Sequence, residues 1–447
     1  MTGDALLAYR RPSALVGDRL TLETSGGTST LGAQANPRFF AGFLTEPEQG
    51  AQALLAVAAV ARSRYFVPMT SQRLQAILDP VVTSDGERLR FESFSGCCGV
   101  YARYDVLADG MDGDVLDRGT TNVDVNGPLQ EALTRVGGRE PLHLSVGPDD
   151  LTVTTLDDAV VERRVTLPPR WARGFAEVPA ATSGMDLRAE LAPGEARRFL
   201  RSLPRGGSRG VLWAVASGRS LRLTTRPAAG AVCLAGPERL AQLDPVLRFA
   251  TGLRVYGPAV DGAPVASAWE IVLPGGRLTL TVSPDLSRGF SGEGGLLLDL
   301  ADDRAADDAD LVLDALAFTA GDDVASLAED TGLPPARVRG ALAALGSSGR
   351  VGYDVAEARW FHRQLPYDAA AADANNPRLR AARALIEENR LHADGDLVVV
   401  RLDDHEQHVR RAPSGWTCTC PWWARYGGRR GPCKHVLAAR IAQGAIS

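Results

Sequence analysis

Lysine is all but missing from this sequence: of 49 basic residues, only Lys434 is not an arginine. Such a bias points to a GC-rich genome that replaces lysine codons, so the single lysine marks a position with chemical demands of its own. Histidine is scarce as well, and before residue 362 only His143 occurs, which leaves a cysteine nucleophile without its usual base. Six cysteines in 447 residues are too few for a disulfide scaffold, and three of them crowd near the C-terminal end, which favours a metal. No apolar run approaches the roughly 20 residues that span a bilayer, and the opening MTGDALLAYRRPS lacks the apolar core of a signal peptide. The expectation is a cytoplasmic protein without membrane contact. No Walker-type phosphate loop, metalloprotease helix or G-x-S-x-G elbow is present, so the familiar routes to an enzyme are missing and a non-enzymatic role is expected.

Hydrophobic content of 45% and charged content of 23% are ordinary for globular chains, and the length suggests two to four domains at about 100 to 200 residues each. A net charge of −5 exerts no global pull on nucleic acid, yet residues 401–447 carry eight basic side chains against three acidic ones, a local basic patch.

Thr45 followed by Glu48 reads as a capping box opening a helix that runs to about Arg62, with Pro47 in its first turn. From 70 to 285 a short amphipathic helix followed by about three alternating strands repeats four times, with helices at 70–79, 128–136, 193–203 and 236–243. The expected strands include 88–94, 99–107, 141–146, 150–156, 160–167, 209–216, 220–225, 248–256, 266–273 and 277–283. LHLSV, DDLTVTTL and VVERRVTL alternate as a sheet with one solvated face does. An α+β class with antiparallel sheets follows. This repeated unit resembles the building block of DNA sliding clamps, in which two units make a domain; in that resemblance helix arginines face DNA, and Arg73, Arg135, Arg197 and Arg198 would be available.

The body is expected over 1–300, as two clamp-like domains, ending in the acidic linker ADDRAADDAD. Over 308–365 three helices are expected, at Asp310–Thr319, Asp323–Asp330 and Pro335–Leu345, followed by GRVGYD and EARWFHR as two short strands. The order resembles a winged helix-turn-helix. In its DNA-binding form Arg337 and Arg339 face the major groove while Arg350, Arg359 and Arg363 hold phosphates; the alanines around them leave the third helix poor in polar readers, and such units also dock proteins.

A linker over 366–377 and a charged helix to Asn389 lead into a module that closes the 376–447 region. Strands at Asp396–Arg401, His405–Arg411 and Trp416–Cys420 precede a helix from Lys434. Residues two apart on a strand share a face, so Cys418 and Cys420 present both sulfurs to one metal, and Cys433 and His435 sit at a helix N-terminus that favours thiolate. C-x-C, twelve residues, then C-x-H is similar to the SWIM-type zinc finger, a family taken to bind DNA or proteins. Four protein ligands leave no open position, so the expected cofactor is structural Zn2+. The spacer PWWARYGGRRGP interleaves Trp422, Trp423 and Tyr426 with Arg425, Arg429 and Arg430; together with Lys434, these suit either a nucleic acid or a protein partner. His405 and His408 are expected on an exposed polar face.

One stretch invites an enzymatic reading: Cys97, Cys98 and Arg103, near Asn122, Asp124 and Asn126, whose polar groups would share a strand face. GTTNVDVN also resembles a segment of uncharacterised actinobacterial SWIM proteins encoded beside MoxR-type AAA ATPases and von Willebrand factor A proteins. That resemblance implies a protein partner in an ATPase-linked assembly. The reading expected here is a non-enzymatic nucleic-acid-binding or adaptor protein, with a protein-interaction scaffold and an enzyme near Cys97 to Asn126 as rivals.

Overall fold

The structure, a computed structural model, describes residues 38–65, 80–123, 125–138, 140–165, 169–206, 210–259, 262–290, 296–300, 304–316, 321–365, 376–413 and 415–444, plus the backbone of four short strands between residues 14 and 33. The expected helix 70–79 with Arg73, the residue Asp124 and most of the 366–377 linker lie outside the described residues.

The alternating segments pair as antiparallel sheets, in the expected α+β class. The largest has eight strands in the order Gly119–Asn122, Val81–Ser84, Leu89–Phe94, Val100–Val106, Gly276–Val282, Ser267–Leu273, Gly252–Gly257 and Asp186–Leu191. At its centre the two halves of the body meet, with Val100 opposite Val282 and Val106 opposite Gly276. A five-stranded sheet contains Ala159–Arg163, Asp150–Thr154, His143–Val146, Phe40–Leu44 and Met111–Val115, and a three-stranded one Ser220–Thr224, Val211–Ser217 and Val232–Ala235.

The helix Pro47–Arg62, rich in alanine, is largely buried, packing on the strands Leu89–Phe94 and Val100–Val106 and on the segment Pro237–Val246. The capping box does not form. Glu46 occupies the N-cap position without a side-chain bond, and the Thr45 hydroxyl donates instead to the Asp109 carbonyl at 3.1 Å. The strand Leu89–Phe94 is buried on both faces, unlike the half-solvated strands Asp150–Thr154 and Ala159–Arg163. Its second face carries Arg90, Glu92 and Phe94, and these must be covered and neutralised.

Two elements cover that face. One is the helix Pro169–Thr182, whose Trp171, Phe175 and Val178 pack with Phe94 and Tyr101. The other is the hairpin Val351–Asp354 and Arg359–His362, which follows helices Ala305–Leu316, Val324–Thr331 and Pro335–Ser347. Asp323 caps the middle helix through Ala325 and Ser326 N–H groups at 2.8 Å, and Gly332 ends it at φ 68°, the left-handed conformation glycine adopts without strain. Val312, Leu316, Leu327, Val338, Leu342 and Trp360 form the core of this unit.

The hairpin is joined to the sheet by buried charge. Asp354 pairs with Arg103 at 3.0 Å and with Arg277. Asp105 holds the same two arginines at 3.0 and 2.8 Å. Glu92 accepts from Arg363 at 2.6 Å and from Tyr101 at 2.5 Å, and the ring of Phe361 lies 4.1 Å from the Arg90 guanidinium. Arg363, expected as a phosphate contact, is therefore enclosed, with its side chain 1% exposed. Burying such ions is offset only when every one is paired.

Downstream, the helix Pro377–Glu387 precedes a four-stranded sheet, Leu391–Asp394, Leu397–Arg401, Glu406–Ala412 and Gly415–Cys418, and then helices Pro421–Tyr426 and Lys434–Ala442. No described helix is long and apolar enough to cross a membrane.

Burial opposes the charge on Asp354, but the guanidinium groups of Arg103, Arg277 and Arg90 outweigh it and hold the carboxyl well below its ordinary range. A folded pKa below the unfolded one stabilises above the unfolded value and is lost as pH falls through the folded one. Docking of the hairpin should thus persist through the pH range in which exposed carboxylates protonate. Asp354→Ala leaves Arg103 and Arg277 to share Asp105 and unties the hairpin from them, which should cost about 1–3 kcal/mol, less than a fully unpaired buried charge, seen as faster amide hydrogen exchange across 351–362 at neutral pH; unchanged protection there would show that the ion pairs do not hold the hairpin.

Candidate metal centre

Cys418 ends a strand, and Cys420 follows it as the N-cap of the helix Pro421–Tyr426. Cys433 is the N-cap of Lys434–Ala442, and His435 lies in that helix's first turn. The strand-to-helix order brings all four together: their ligand atoms lie within 4.8 Å of one another and all four residues are buried. Cys418 Sγ stands 3.8 Å from His435 Nδ1, close to the ~3.6 Å separation expected of sulfur and nitrogen on a tetrahedral zinc with ordinary bond lengths. The spacing, donor types and closure fit structural Zn2+.

Three thiolates exceed the charge of one divalent ion, and the backbone offsets the difference. Amide groups of Cys420, Trp423 and Val436 donate to Cys418, Cys420 and Cys433 Sγ at 3.5, 3.4 and 3.4 Å. A hydrogen bond from the Cys418 thiol holds Cys433 well below the ordinary thiol range, against the effect of burial, and the same contact pushes Cys418 up. Apolar packing completes the module: Leu379, Leu385, Val398, Val400, Val409, Val436 and Leu437 form one core with the cysteines, and this core includes Ala176 of the helix Pro169–Thr182.

The spacer between ligand pairs begins with the helix Pro421–Tyr426. Trp422 and Tyr426 pack with ring centroids 4.5 Å apart, and Arg430 lies 4.9 Å from the first ring and 4.7 Å from the second. Arg378 adds a contact to Trp422 at 4.9 Å and Arg425 one to Tyr426 at 5.3 Å. Trp423 packs against the metal-centred core. Arg378 also donates to the carbonyls of Arg430 and Pro432 at 2.5 and 3.2 Å, pinning the second half of the spacer. Arg425 and Arg429 are exposed, and Arg430 and Lys434 are half-buried. His405 and His408 are exposed as expected.

Other sequence candidates fall elsewhere. Arg337 forks onto Asp308, with Nε to Oδ2 at 2.7 Å, whereas Arg339 is exposed beside Asp299. Arg350 pairs with Asp310 at 3.3 Å, and Arg359 donates to the Gly321 carbonyl at 3.2 Å. Among the helix arginines of the body, Arg135 pairs with Asp158 at 3.4 Å, Arg198 with Glu195 at 2.8 Å, and Arg197 donates to the Leu247 carbonyl at 3.1 Å. The described residues of the Cys97 to Asn126 set do not converge. Asn122 faces Val81, Val81 faces Glu92 and Glu92 faces Arg103, a separation of three strands or about 14 Å. Asn122 donates to the Val165 carbonyl, Asn126 caps the helix Gly127–Arg135, and Cys98 occupies a turn at φ 52°.

The body is thus an antiparallel α+β structure and the site a closed, four-ligand structural zinc centre. More narrowly, residues 397–443 match the SWIM zinc finger family model. No curated protein matches the chain by sequence. Among solved structures, the chain is similar to the proliferating cellular nuclear antigen of Entamoeba histolytica, with 10% identity and a TM-score of 0.34 over 55% of this chain and 98% of that one. It is also similar to a chain of the PCNA2-PCNA3 complex of Sulfolobus tokodaii, with 10% identity and a TM-score of 0.40 over 54% and 98%.

Metal analysis of the intact protein should return about one zinc per chain, and Cys420→Ser should abolish it. Native mass spectrometry checks both, and full zinc retention in the variant would refute the ligand set.

Proposed function

We propose that this chain is a non-enzymatic cytoplasmic binding protein whose metal-held finger contacts the phosphates of a nucleic acid without reading its bases. The observation that carries the reading is the state of the spacer. Its exposed cations, Arg425 and Arg429, stand at the surface, while Trp422 and Tyr426 are already covered by Arg378, Arg430 and Arg425. Both rings are already engaged by arginines, so what the spacer offers a partner is chiefly charge. Arg410 and Arg411, on the strand Glu406–Ala412, are exposed as well. Contacts of this kind position a polyanion and carry no sequence information.

Three helices and a hairpin support a winged-helix reading for the segment expected at 308–365, flanked by the body at 1–300 and the finger at 376–447. Its wing is turned onto the sheet through Asp354 and Arg363, which suits a docking module better than a groove reader. That docking favours a second reading, in which the chain is an adaptor in a protein assembly, such as an AAA ATPase and von Willebrand factor A system.

The two readings differ in salt dependence. Binding of a labelled oligothymidine should weaken steeply between 50 and 200 mM salt, each released contact adding about 0.7 to the logarithmic slope. Arg425→Ala with Arg429→Ala should lower that slope by about 1 to 2. Binding that ignores both salt and these substitutions would exclude the phosphate reading and leave the adaptor.

A further inference from the structure

The finger does not stand alone: its spacer forms one wall of a cleft of about 340 Å³ whose other wall is the body. The finger contributes Tyr426, Arg429 and Arg430, and the body contributes Arg288, Asp285 and an apolar surface of Val211, Pro264, Pro284 and Leu286. Three guanidinium groups thus face one carboxylate beside an uncharged wall. The volume lies at the lower end of the range of small-molecule sites.

Both walls are built in advance. On the body side, Arg239, fully buried, donates to the carbonyl and hydroxyl of Ser283 at 2.9 and 3.1 Å and to the carbonyl of Asp285 at 2.8 Å. The Ser283 hydroxyl in turn donates toward the Asp285 and Arg288 carbonyls at 3.1 Å. Asp285 accepts from the Ser287 amide and hydroxyl at 2.8 and 2.7 Å; burial works against its charge, and these bonds with Arg288 and Arg430 hold it below its ordinary value. Its negative charge is thus shared between the turn and the two arginines. On the finger side, Arg378 pins the backbone of Arg430, and the Arg430 guanidinium is set against two rings. Its Nε is buried and has no hydrogen-bond partner among the described residues.

We propose that this cleft binds a phosphate-bearing small molecule of mononucleotide size. Its phosphates lie on Arg288, Arg429 and Arg430, and its planar, uncharged part lies against Val211, Pro264 and Leu286. Pre-set walls of this kind reduce the ordering cost of binding, and guanidinium groups suit phosphate oxygens through paired hydrogen bonds. The ligand would join the finger to the body. The inference rests on the metal-held finger but not on nucleic-acid binding, because Arg288 and the apolar wall belong to the body.

The test uses the full-length zinc-loaded protein, a fluorescent ATP analogue, unlabelled ATP and pyrophosphate as competitors, and labelled oligothymidine in parallel. Arg288→Ala removes a body-side cation. Gly210→Phe fills the cleft at a position where a Cβ meets nothing within 4 Å. Saturable binding of the ATP analogue is expected, displaced by ATP more effectively than by pyrophosphate. Arg288→Ala should weaken it about tenfold or more, in line with loss of one charge-assisted contact, and Gly210→Phe should weaken it at least as much by occupying the space, while zinc content and oligothymidine binding stay unchanged. Three results would overturn the proposal: no saturable binding at millimolar nucleotide in low salt, equal binding in both variants, or equal displacement by pyrophosphate and ATP. Joint loss of nucleotide and oligothymidine binding in Arg288→Ala would also overturn it, since the cleft would then be only part of the nucleic-acid surface.

Discussion

Three cysteine sulfurs and an imidazole, enclosed within 4.8 Å of one another, can coexist as ligands only around a cation, and the last fifty residues are arranged to permit that. Two of the sulfurs cap helices, and amide groups from three residues point at the thiolates. Because every ligand comes from the chain, the metal has no position left for substrate or water, and its role is to hold shape. The shape held is the spacer, in which Arg430 lies against Trp422 and Tyr426 and leaves the neighbouring cations exposed.

The helix Pro169–Thr182 carries that shape to the rest of the molecule. Trp171, Phe175 and Val178 pack with the sheet residues Phe94 and Tyr101 and with Val355 beside the hairpin. Ala176, on the same helix, belongs to the core that surrounds the metal ligands. Arg363 of the hairpin segment lies 4.1 Å from the Phe175 ring while its guanidinium serves Glu92. One helix therefore touches sheet, hairpin and finger. A second face that a half-solvated sheet would leave to water is occupied by charge pairs, and their cost is reduced because Arg103, Arg277, Asp105 and Asp354 pair with one another in a single cluster.

Local signals in the sequence were sufficient for the ligand quartet, since C-x-C on a strand and C-x-H at a helix start are read from neighbours alone. The strands at 89–94, 100–106, 267–273 and 276–282 were legible for the same reason, through alternation. Pairing between distant segments was not. Nothing in the order of residues places Asp354 opposite Arg103, because that contact arises only when the hairpin folds onto the sheet, and so Arg363 read as a surface cation. The helix Pro421–Tyr426 did leave a sign, a proline directly after a residue able to cap. So did Pro169–Thr182, with Trp171, Phe175 and Val178 at helical spacing, although its internal Pro179 obscures the pattern. The cleft beside Arg288 had none, being a product of two walls more than a hundred residues apart.

The account turns on the metal holding the contact surface without doing chemistry, and selective chelation followed by amide hydrogen exchange tests this most directly. Removing zinc from the intact protein should abolish protection across 397–443 and leave the sheet strands 89–94, 100–106 and 276–282 protected as before. Protection of 397–443 that survives complete metal removal would contradict it.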